Sequence, residues 1–278
     1  MELHLGEFSC PDLDALRPHQ LAALEAAVSI SGSQADEKWA LASSWLSREP
    51  VIHLDHGPFL PEDLAHELSP YFMGRGRLPR VKQKSIAEHA VCRKLVSSTA
   101  HDRAFDPRST PDDFYALIFE VVTELGLVAR FRRVGVKTKP DASGGSVVYP
   151  CWTGIEGQLH TLHGFLARHH ARPHLCATVA AVGITHIHPL EDGNGRLSRI
   201  LYNLMAFRAV QARFYLPIFE CSALSAGGYI IRKRKARRPS GWSEIVDYMA
   251  LLNARFAPEA SRQDTVAPPV CPDASAFP

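Results

Sequence analysis

The sequence predicts a mainly α-helical fold, and three observations support that prediction. Apolar residues recur with helical spacing through most of the 278 residues. One helix start is unusually well marked, at residues 110–113, and the helical pattern is clearly broken only once, between residues 132 and 150. No internal repeat is present, so a repeat architecture is excluded.

Several segments justify the helices in chain order. Thr110 suits the N-cap of a helix, Pro111 suits its first position, and Asp112 and Asp113 suit the positive end of its dipole. Gly126 is a C-cap candidate for the same helix. Amphipathic spacing predicts the other helices, at residues 17–31, 34–48, 61–72, 82–98, 154–170, 172–186, 195–212, 223–234 and 240–256.

Residues 132–150 predict a β-hairpin. Two short β-branched runs flank a turn-rich centre with the sequence Lys-Pro-Asp-Ala-Ser-Gly-Gly. A lone hairpin cannot form its own core. It must therefore either pack on the helices or serve as a flap, and composition alone leaves both alternatives open.

Composition excludes several classes of protein. The 31 Lys and Arg residues nearly balance the 29 Asp and Glu residues, which argues against a polyanion-coating protein. No apolar run reaches the roughly 18 residues of a membrane span, and the acidic N-terminus does not resemble a secretory signal. The six cysteines form no CxxC pair, so we expect reduced thiols in a cytoplasmic protein.

Residues 188–199 carry the chemistry that the sequence predicts. Gly193 and Gly195 bring bare N–H groups close to a ligand just before a helix begins, which makes an anion site. Arg196 and Arg199 follow on one face of that helix, although arginine in a first turn opposes the dipole. A bound di- or triphosphate would offset that cost.

Two further residues of this loop suit phosphate chemistry. A carboxylate beside bound phosphates is repulsive unless a divalent cation intervenes, so Asp192 implies Mg²⁺. His188 is the one residue in the loop suited to accept a proton near neutral pH.

The run resembles the motif of the Fic family (Fic/Doc), His-Pro-Phe-x-Asp/Glu-Gly-Asn-Gly-Arg-x-x-Arg. Every defined position matches except Leu190, which stands where the family usually has Phe as an apolar anchor. The resemblance extends over residues 110–256, where Tyr229 and residues 241–246 also resemble the C-terminal part of the family. It implies a Fic-type helical bundle with a β-hairpin flap near the active-site loop. Residues 1–109 then form an N-terminal helical region of unknown role, and residues 257–278, with five prolines, a disordered tail.

The resemblance implies a protein adenylyltransferase that moves AMP from ATP to a Ser, Thr or Tyr hydroxyl of a target protein and releases pyrophosphate. His188 would deprotonate the hydroxyl, and Asp192 would hold Mg²⁺ on the α- and β-phosphates. The nucleotide would be bound along the motif and by one later residue: Asp192, Gly193, Asn194, Gly195, Arg196, Leu197, Ser198, Arg199 and Tyr229. The target backbone would align on the flap, through Val134, Gly135, Val136 and Lys137.

Many members of the family are self-inhibited by a helix with the pattern Ser/Thr-x-x-x-Glu-Gly/Asn, whose Glu pairs with the second motif arginine, here Arg199. Residues 33–37 have the first spacing but continue with Lys38, and residues 85–88 are one residue short. Both are interpreted as ordinary helix faces. The protein is then expected to be unregulated in cis or restrained by a separate inhibitory partner protein.

Other interpretations stay open at this point. Within the same fold, the transferred group could be UMP, phosphate or phosphocholine, because the motif contacts phosphates and not the base. A metal-dependent hydrolase would use His186, His188 and Asp192, but the aspartate lies two residues too late for a His-x-His-x-Asp site. Further ligands for that rival would come from His160, His163, His169, His170 and His174.

A basic run at residues 232–238 has six basic residues in seven and raises the alternative of a nucleic-acid-binding module. No helix-turn-helix, zinc finger or aromatic stacking pattern accompanies it. Neither nucleic acid nor a membrane is therefore expected as a partner. In a Fic-like core the run would lie close to the nucleotide, where it could recruit an acidic target surface.

Overall fold

A computed structural model describes residues 2–26, 35–40, 43, 84–140, 144–210, 213–224, 228–238 and 241–256. These residues are mostly helical, which confirms the predicted mainly α class. The described α-helices include α1 (Pro18–Ala26), α2 (Ser85–Leu95), α3 (Thr99–Ala104), α4 (Pro111–Glu124), α5 (Ile155–Arg168), α6 (Pro173–Ile187), α7 (Asn194–Ala206), α8 (Ile218–Leu224), α9 (Gly228–Lys235) and α10 (Trp242–Phe256). Short 3-10 turns lie at Leu13–Ala15, Trp152–Gly154 and Arg208–Val210.

The predicted start of α4 is confirmed in detail. The Thr110 side chain accepts a hydrogen bond from the Asp113 N–H (3.3 Å), and the Asp113 carboxylate accepts one from the Thr110 N–H (2.8 Å). This reciprocal capping box satisfies two backbone donors that a helix start otherwise leaves unpaired.

Some helices differ from the sequence prediction. The short helices α3 and α8 were not predicted, because six or seven residues hold too few apolar positions to show a period. The helix predicted at residues 195–212 ends at Ala206 and is followed by a 3-10 turn. Residues 35–40 are helical as predicted, while the predicted helix 61–72 and the predicted disordered tail 257–278 lie outside the described residues.

The core is built around α6 and α7, which pack against each other more extensively than any other two described elements. Nearly every residue of α6 is buried, as its almost wholly apolar sequence requires. At Gly183 a Cβ atom would come within 2.9 Å of Leu162 on α5 and 3.2 Å of Phe8, so the absence of a side chain there permits close packing. The loop between α6 and α7 is therefore held at both ends by helices fixed in the core. No described helix combines the length and apolarity that a membrane span requires.

The N-terminal elements share this core. The Gln20 side chain on α1 donates to Asp247 on α10 (2.6 Å), and the Leu175 N–H at the start of α6 donates to Glu25 (2.8 Å). Beneath α1, α10 is tied to the centre of the bundle by a chain of buried hydrogen bonds. In that chain the Tyr202 hydroxyl donates to Asn253 (2.8 Å), whose amide group lies 2.7 Å from His174.

The predicted hairpin is also present. The Thr138 N–H donates to the Val147 carbonyl (2.9 Å) and the Tyr149 N–H donates to the Val136 carbonyl (3.1 Å). Its second strand, β2 (Ser146–Val148), also pairs in parallel with β1 (Glu2–His4), which the sequence analysis did not predict. A three-residue strand is too short to show an alternation of apolar and polar residues.

Candidate functional site

The loop between α6 and α7 begins with a residue in an unusual conformation. His188 follows the last residue of α6 with φ 54° and ψ 58°, in the left-handed region. Among the described residues it is the one non-glycine residue with a positive φ. Such a backbone costs on the order of 1–3 kcal/mol and persists only where the surroundings hold it.

A buried arginine holds this turn. The Arg132 side chain donates through Nε to the His188 carbonyl (2.7 Å) and through Nη2 to the Ile187 carbonyl (3.4 Å). Its own backbone N–H donates to the Pro189 carbonyl (2.9 Å). Arg132 is 1% exposed, and burial lowers the pKa of its guanidinium.

The same guanidinium also holds both ends of the hairpin. Nη1 donates to the Val134 carbonyl (2.8 Å), and Nη2 donates to the Pro150 carbonyl (2.6 Å). Arg132 therefore joins the hairpin to the His188 turn. This role is not predictable from the sequence, because Arg130 and Arg133 lie close by and nothing local marks Arg132 as the buried one.

The His188 ring lies against the hairpin. It stacks on Tyr149 with the ring centroids 3.7 Å apart and an angle of 21° between the planes. Burial lowers the pKa of His188 to about 4, and the nearby positive charges of Arg132, Lys233 and Arg237 lower it as well. The imidazole is therefore neutral near pH 7, and a neutral imidazole has one unprotonated ring nitrogen that can accept a proton.

The start of α7 requires glycine and a buried anchor. Gly193 has φ 86°, and a Cβ atom there would overlap the side chain of Leu127. Leu190 is 2% exposed and anchors the loop in the core, as the sequence predicts. The Asn194 side chain accepts from the Leu190 N–H (3.0 Å) and donates to the Leu190 carbonyl (2.9 Å), so it braces the loop. An anion at this position would therefore contact backbone N–H groups and not the Asn194 amide.

Charged side chains surround this helix start. Asp192 is 81% exposed at its side chain; it accepts from the Gly193 N–H (2.6 Å) and from Arg196 (3.1 Å). Arg199 folds back toward the helix start, since a Cβ atom on Gly195 would lie 3.4 Å from its Nη1. Two guanidinium groups and one carboxylate thus lie around a helix N-terminus.

Two residues predicted to bind the nucleotide have side chains that face elsewhere. Leu197 is fully buried in the core, and the buried Ser198 hydroxyl donates to the Gly195 carbonyl (3.0 Å). Both lie on the face of α7 that packs inward, three and four residues after Asn194. Their side chains therefore do not face the cleft, and the prediction that these two residues bind the nucleotide could hold only through their backbone atoms.

Arg199 is paired with a carboxylate from the N-terminal region. Its Nε donates to Glu88 on α2 (2.9 Å), its Nη2 bonds the other carboxylate oxygen, and the Tyr215 hydroxyl also donates to Glu88 (2.7 Å). Burial acts to lower the pKa of Arg199, but the hydrogen bonds and charge of Glu88 raise it overall.

The interpretation of residues 85–88 as an ordinary helix face was therefore wrong. Glu88 is 2% exposed and lies in the cleft. The short spacing does not prevent this, because Ser85 has a different role: its hydroxyl and its N–H both bond the buried Glu220 on α8. By contrast, Glu37 in the other candidate segment is exposed, as an ordinary helix face requires.

The remaining predicted site residues lie on two sides of His188. Val134, 53% exposed, and Gly135, Val136 and Lys137 lie on the first arm of the hairpin, which pairs with β2 through an antiparallel bridge between Lys137 and Val148. Lys137 also pairs with Glu2 (2.9 Å). Tyr229 on α9 is 4% exposed, and the Lys233 ammonium lies 4.6 Å above its ring. The ring of Tyr229 is thus covered, and the group presented toward the cleft is the lysine.

The structure does not bring together the residues of the metal hydrolase alternative. His186 is 3% exposed and its Nε2 lies 2.9 Å from the Gly6 carbonyl, beneath the ring of Phe8. Within the described ranges no group of three or more His, Cys, Asp and Glu side chains is arranged to hold a metal ion. His186 and His188 therefore do not share a site.

The pKa of His188 gives a first prediction. The free protein should show the His188 ring titrating near pH 4 and not near the usual pH of about 6.5. NMR of the ring C–H signals would measure this, with the His188→Gln variant identifying the resonance. Because the folded pKa lies below the unfolded one, His188 should also weaken folding as the pH falls from about 6.5 to about 4. A midpoint near 6.5 would show that the ring is not buried as described.

The role of Arg132 gives a second prediction. Arg132→Gln removes the donors to the His188, Val134 and Pro150 carbonyls, so the pKa of His188 should rise by about 1 unit or more toward its usual value as the ring gains water. Amide hydrogen exchange at Thr138 and Tyr149 should accelerate in the same variant. The matched control is Arg133→Gln at the exposed neighbouring position, which should change neither the pKa of His188 nor the rate of amide exchange. The interpretation fails if Arg132→Gln behaves like the control.

Residues 109–206 match the sequence model of the Fic/DOC family. Solved structures similar to this one cover more of the chain. One similar structure is a Fic family protein from Desulfovibrio desulfuricans G20, with 17% identity and a TM-score of 0.48, covering 88% of this chain and 66% of that one. Another is a Fic domain containing signaling protein from Bacteroides thetaiotaomicron VPI-5482, with 18% identity and a TM-score of 0.44, covering 79% of this chain and 93% of that one. The chain thus spans 66% of the length of the Desulfovibrio protein.

A comparison with curated proteins gives no match. The matched region begins just before α4 and ends at the last residue of α7, so it includes the hairpin, the His188 turn and both motif arginines. On that match, the chain carries a Fic/DOC family domain over residues 109–206.

Proposed function

We propose that this protein is an adenylyltransferase that transfers AMP from ATP to a Ser, Thr or Tyr hydroxyl of a target protein, with release of pyrophosphate. The Fic family generally consists of transferases of AMP or similar groups, and the finer assignment is our proposal. The observation that carries it is a neutral imidazole, His188, beside a helix N-terminus flanked by two guanidinium groups. That arrangement suits a reaction in which a phosphate is attacked by a hydroxyl.

In this proposal the phosphates of ATP bind at the start of α7. The N–H groups of the first turn have no carbonyl partner within the helix and lie at the positive end of its dipole. Arg196 and Arg199 would contact the β- and γ-phosphates and stabilise the charge of the leaving pyrophosphate. Arg199 would have to leave Glu88 in order to do so.

Asp192 fits a role in holding Mg²⁺. Its carboxylate is the exposed one at the mouth of the loop, and Mg²⁺ is commonly held by one or two carboxylates together with water and substrate phosphates. When bound, the ion would neutralise phosphate charge and orient the donor. The carboxylate now pairs with Arg196, so loading the ion would release that guanidinium toward the phosphates.

The chemical step uses His188 as the general base. Its free ring nitrogen takes the proton of the target hydroxyl, and the hydroxyl oxygen forms a bond to the α-phosphorus. The bond from that phosphorus to the bridging oxygen of the β-phosphate breaks, and pyrophosphate leaves with the electron pair. The hairpin, joined to His188 through Arg132 and Tyr149, would hold the target segment next to the base.

The pairing of Glu88 with Arg199 would restrain this activity within the chain. A buried Arg–Glu pair must be opened before Arg199 can bind a phosphate, so separation of the pair offsets part of the free energy of phosphate binding. The resemblance to self-inhibited members of the family therefore applies through Glu88. A separate inhibitory partner protein stays an alternative, and the test below separates the two.

The restraint gives a third prediction. Glu88→Gln keeps the shape of the side chain but removes its charge, so ATP affinity and AMP transfer should both rise, by about tenfold or more. Calorimetric titration and labelled ATP would measure the two effects. The matched control is Glu124→Gln on α4. It breaks the ion pair of Glu124 with Lys94 (2.8 Å), which lies on the same helix as Glu88 but outside the cleft. If Glu88→Gln is no more active than the control, restraint by Glu88 is wrong and a separate partner is favoured.

The catalytic assignment gives a fourth prediction. In the Glu88→Gln background, His188→Ala should abolish transfer and leave ATP binding within about threefold, because a general base contributes roughly 10²–10⁴ to the rate and little to binding. Mass spectrometry of the protein and of added lysate proteins, after incubation with ATP and Mg²⁺, would detect the transferred group. A gain of phosphate alone, or transfer that survives His188→Ala, would contradict the proposal.

A further inference from the structure

The basic run at residues 232–238 is divided between two environments. Arg234, Lys235 and Arg238 are exposed, and Lys235 pairs with Glu244 on α10 (2.7 Å). Lys233 and Arg237 lie four residues apart and are half-buried. Arg232 is half-buried as well, and its Nη1 donates to the Gly228 carbonyl (3.1 Å). The run is therefore not a uniform solvated surface, and Lys233 and Arg237 are the two inward cations considered below.

Neither inward cation has a carboxylate partner among the described residues. The Lys233 ammonium instead lies 4.6 Å above the Tyr229 ring, and Nη1 of Arg237 is buried with no hydrogen-bond partner in the described part of the chain. The hydroxyl of Tyr229, a residue that is 4% exposed, is likewise buried with no such partner there. Three polar groups with unused donors therefore lie on one face of α9 and the turn that follows it.

These groups lie next to the active-site residues. The charges of Lys233 and Arg237 both act on the His188 ring, and Lys233 also interacts electrostatically with Arg199 on α7. Arg237 acts on Tyr149, the residue stacked on His188. Lys233 on α9 and Arg237 in the turn that follows it thus add positive charge beside the imidazole. Buried like charges destabilise one another unless an anion lies among them.

We propose that Lys233 and Arg237, together with the Tyr229 hydroxyl, form a phosphate-binding site for the donor nucleotide that is additional to the helix start and the two motif arginines. The proposal rests on the proposed function for the identity of the donor. A phosphate group suits the site because an ammonium and a guanidinium offer donors only, and the Tyr229 hydroxyl can donate to a phosphate oxygen as well. The site lies beside His188, and the phosphate that the target hydroxyl attacks must also lie beside that base.

Binding of isolated fragments of the donor tests this site without any transfer. Lys233→Met and Arg237→Gln should each weaken the binding of inorganic pyrophosphate, of AMP, or of both, by about 10- to 100-fold, since a hydrogen bond to a charged group contributes roughly 1.5–3 kcal/mol. Loss for pyrophosphate alone would place a leaving-group phosphate here, and loss for AMP alone would place the transferred phosphate. Unchanged binding of both ligands would overturn the proposal.

The exposed part of the same run provides matched controls. Lys235→Met and Arg238→Gln remove the same charges from neighbouring positions and should change binding by less than about twofold, because exposed charges are screened by solvent and salt. Equal losses in the controls would mean that the net charge, and not a site, sets the affinity, and the proposal would fail. Each titration is repeated in the Glu88→Gln background, where Arg199 is free. Thermal unfolding of each variant separates a lost site from a lost fold.

Proton uptake provides a second measurement. Burial and, after it, the charges of Arg199, Arg237 and Arg234 together lower the pKa of Lys233 to about 7. His188 nearby is neutral, and the Tyr229 ring lies beneath the ammonium. A bound phosphate favours the charged ammonium, so binding at pH 8 should take up a proton. Calorimetry in two buffers with different ionisation enthalpies would measure it.

The Lys233→Arg variant makes this measurement specific. Arginine stays charged, so the variant should keep most of the affinity and lose the part of the uptake that is due to Lys233. If uptake in the variant equals that of the native chain, Lys233 does not meet the phosphate. These titrations separate two failures: weaker fragment binding without any AMP transfer would support the site and contradict the proposed reaction. AMP transfer with unchanged fragment binding would do the reverse.

Discussion

The geometry of the candidate site depends on one buried guanidinium. Arg132 has no carboxylate partner among the described residues; its charge is stabilised by the carbonyls of Ile187, His188, Val134 and Pro150. Carbonyl dipoles aimed at a planar fork fix position and angle at once, which a flexible ammonium cannot do. Since those carbonyls belong to the end of α6 and to both ends of the hairpin, the left-handed turn at His188 and the flap form one rigid unit.

Charge compensation is uneven across the cleft. Glu88 neutralises Arg199 and Asp192 neutralises Arg196, whereas Lys233 and Arg237 have no carboxylate partner in the described ranges. The first two pairs can open when a phosphate competes for the arginine. The other two cations are already available, and their charges add to the effect of burial, which lowers the pKa of His188. The nearly balanced net charge of the chain thus conceals a local excess of positive charge beside the base.

The features that were predictable from the sequence are local ones. The capping box at Thr110, the helices on either side of the loop and the buried anchor Leu190 each follow from residues within a few positions of one another. The features that were missed depend on distant residues. Glu88 is 111 positions from Arg199, and Arg132 is 56 from His188. No periodicity reports contacts of that separation, so nothing in the pattern marked these two side chains as buried.

The bonds between α7, α10 and α6 determine how far the family domain can stand alone. The matched region ends at residue 206, but Tyr202 within it donates to Asn253, and Asn253 in turn contacts His174. A fragment of residues 109–206 would lack Asn253, so the side chains of Tyr202 and His174 would lose that hydrogen-bond partner. It would also lack α1 and α10. The boundary of the family match is therefore not the boundary of a folding unit. The smallest fragment that keeps these bonds extends at least to Asn253, and one that keeps the pairing of Arg199 begins before Glu88.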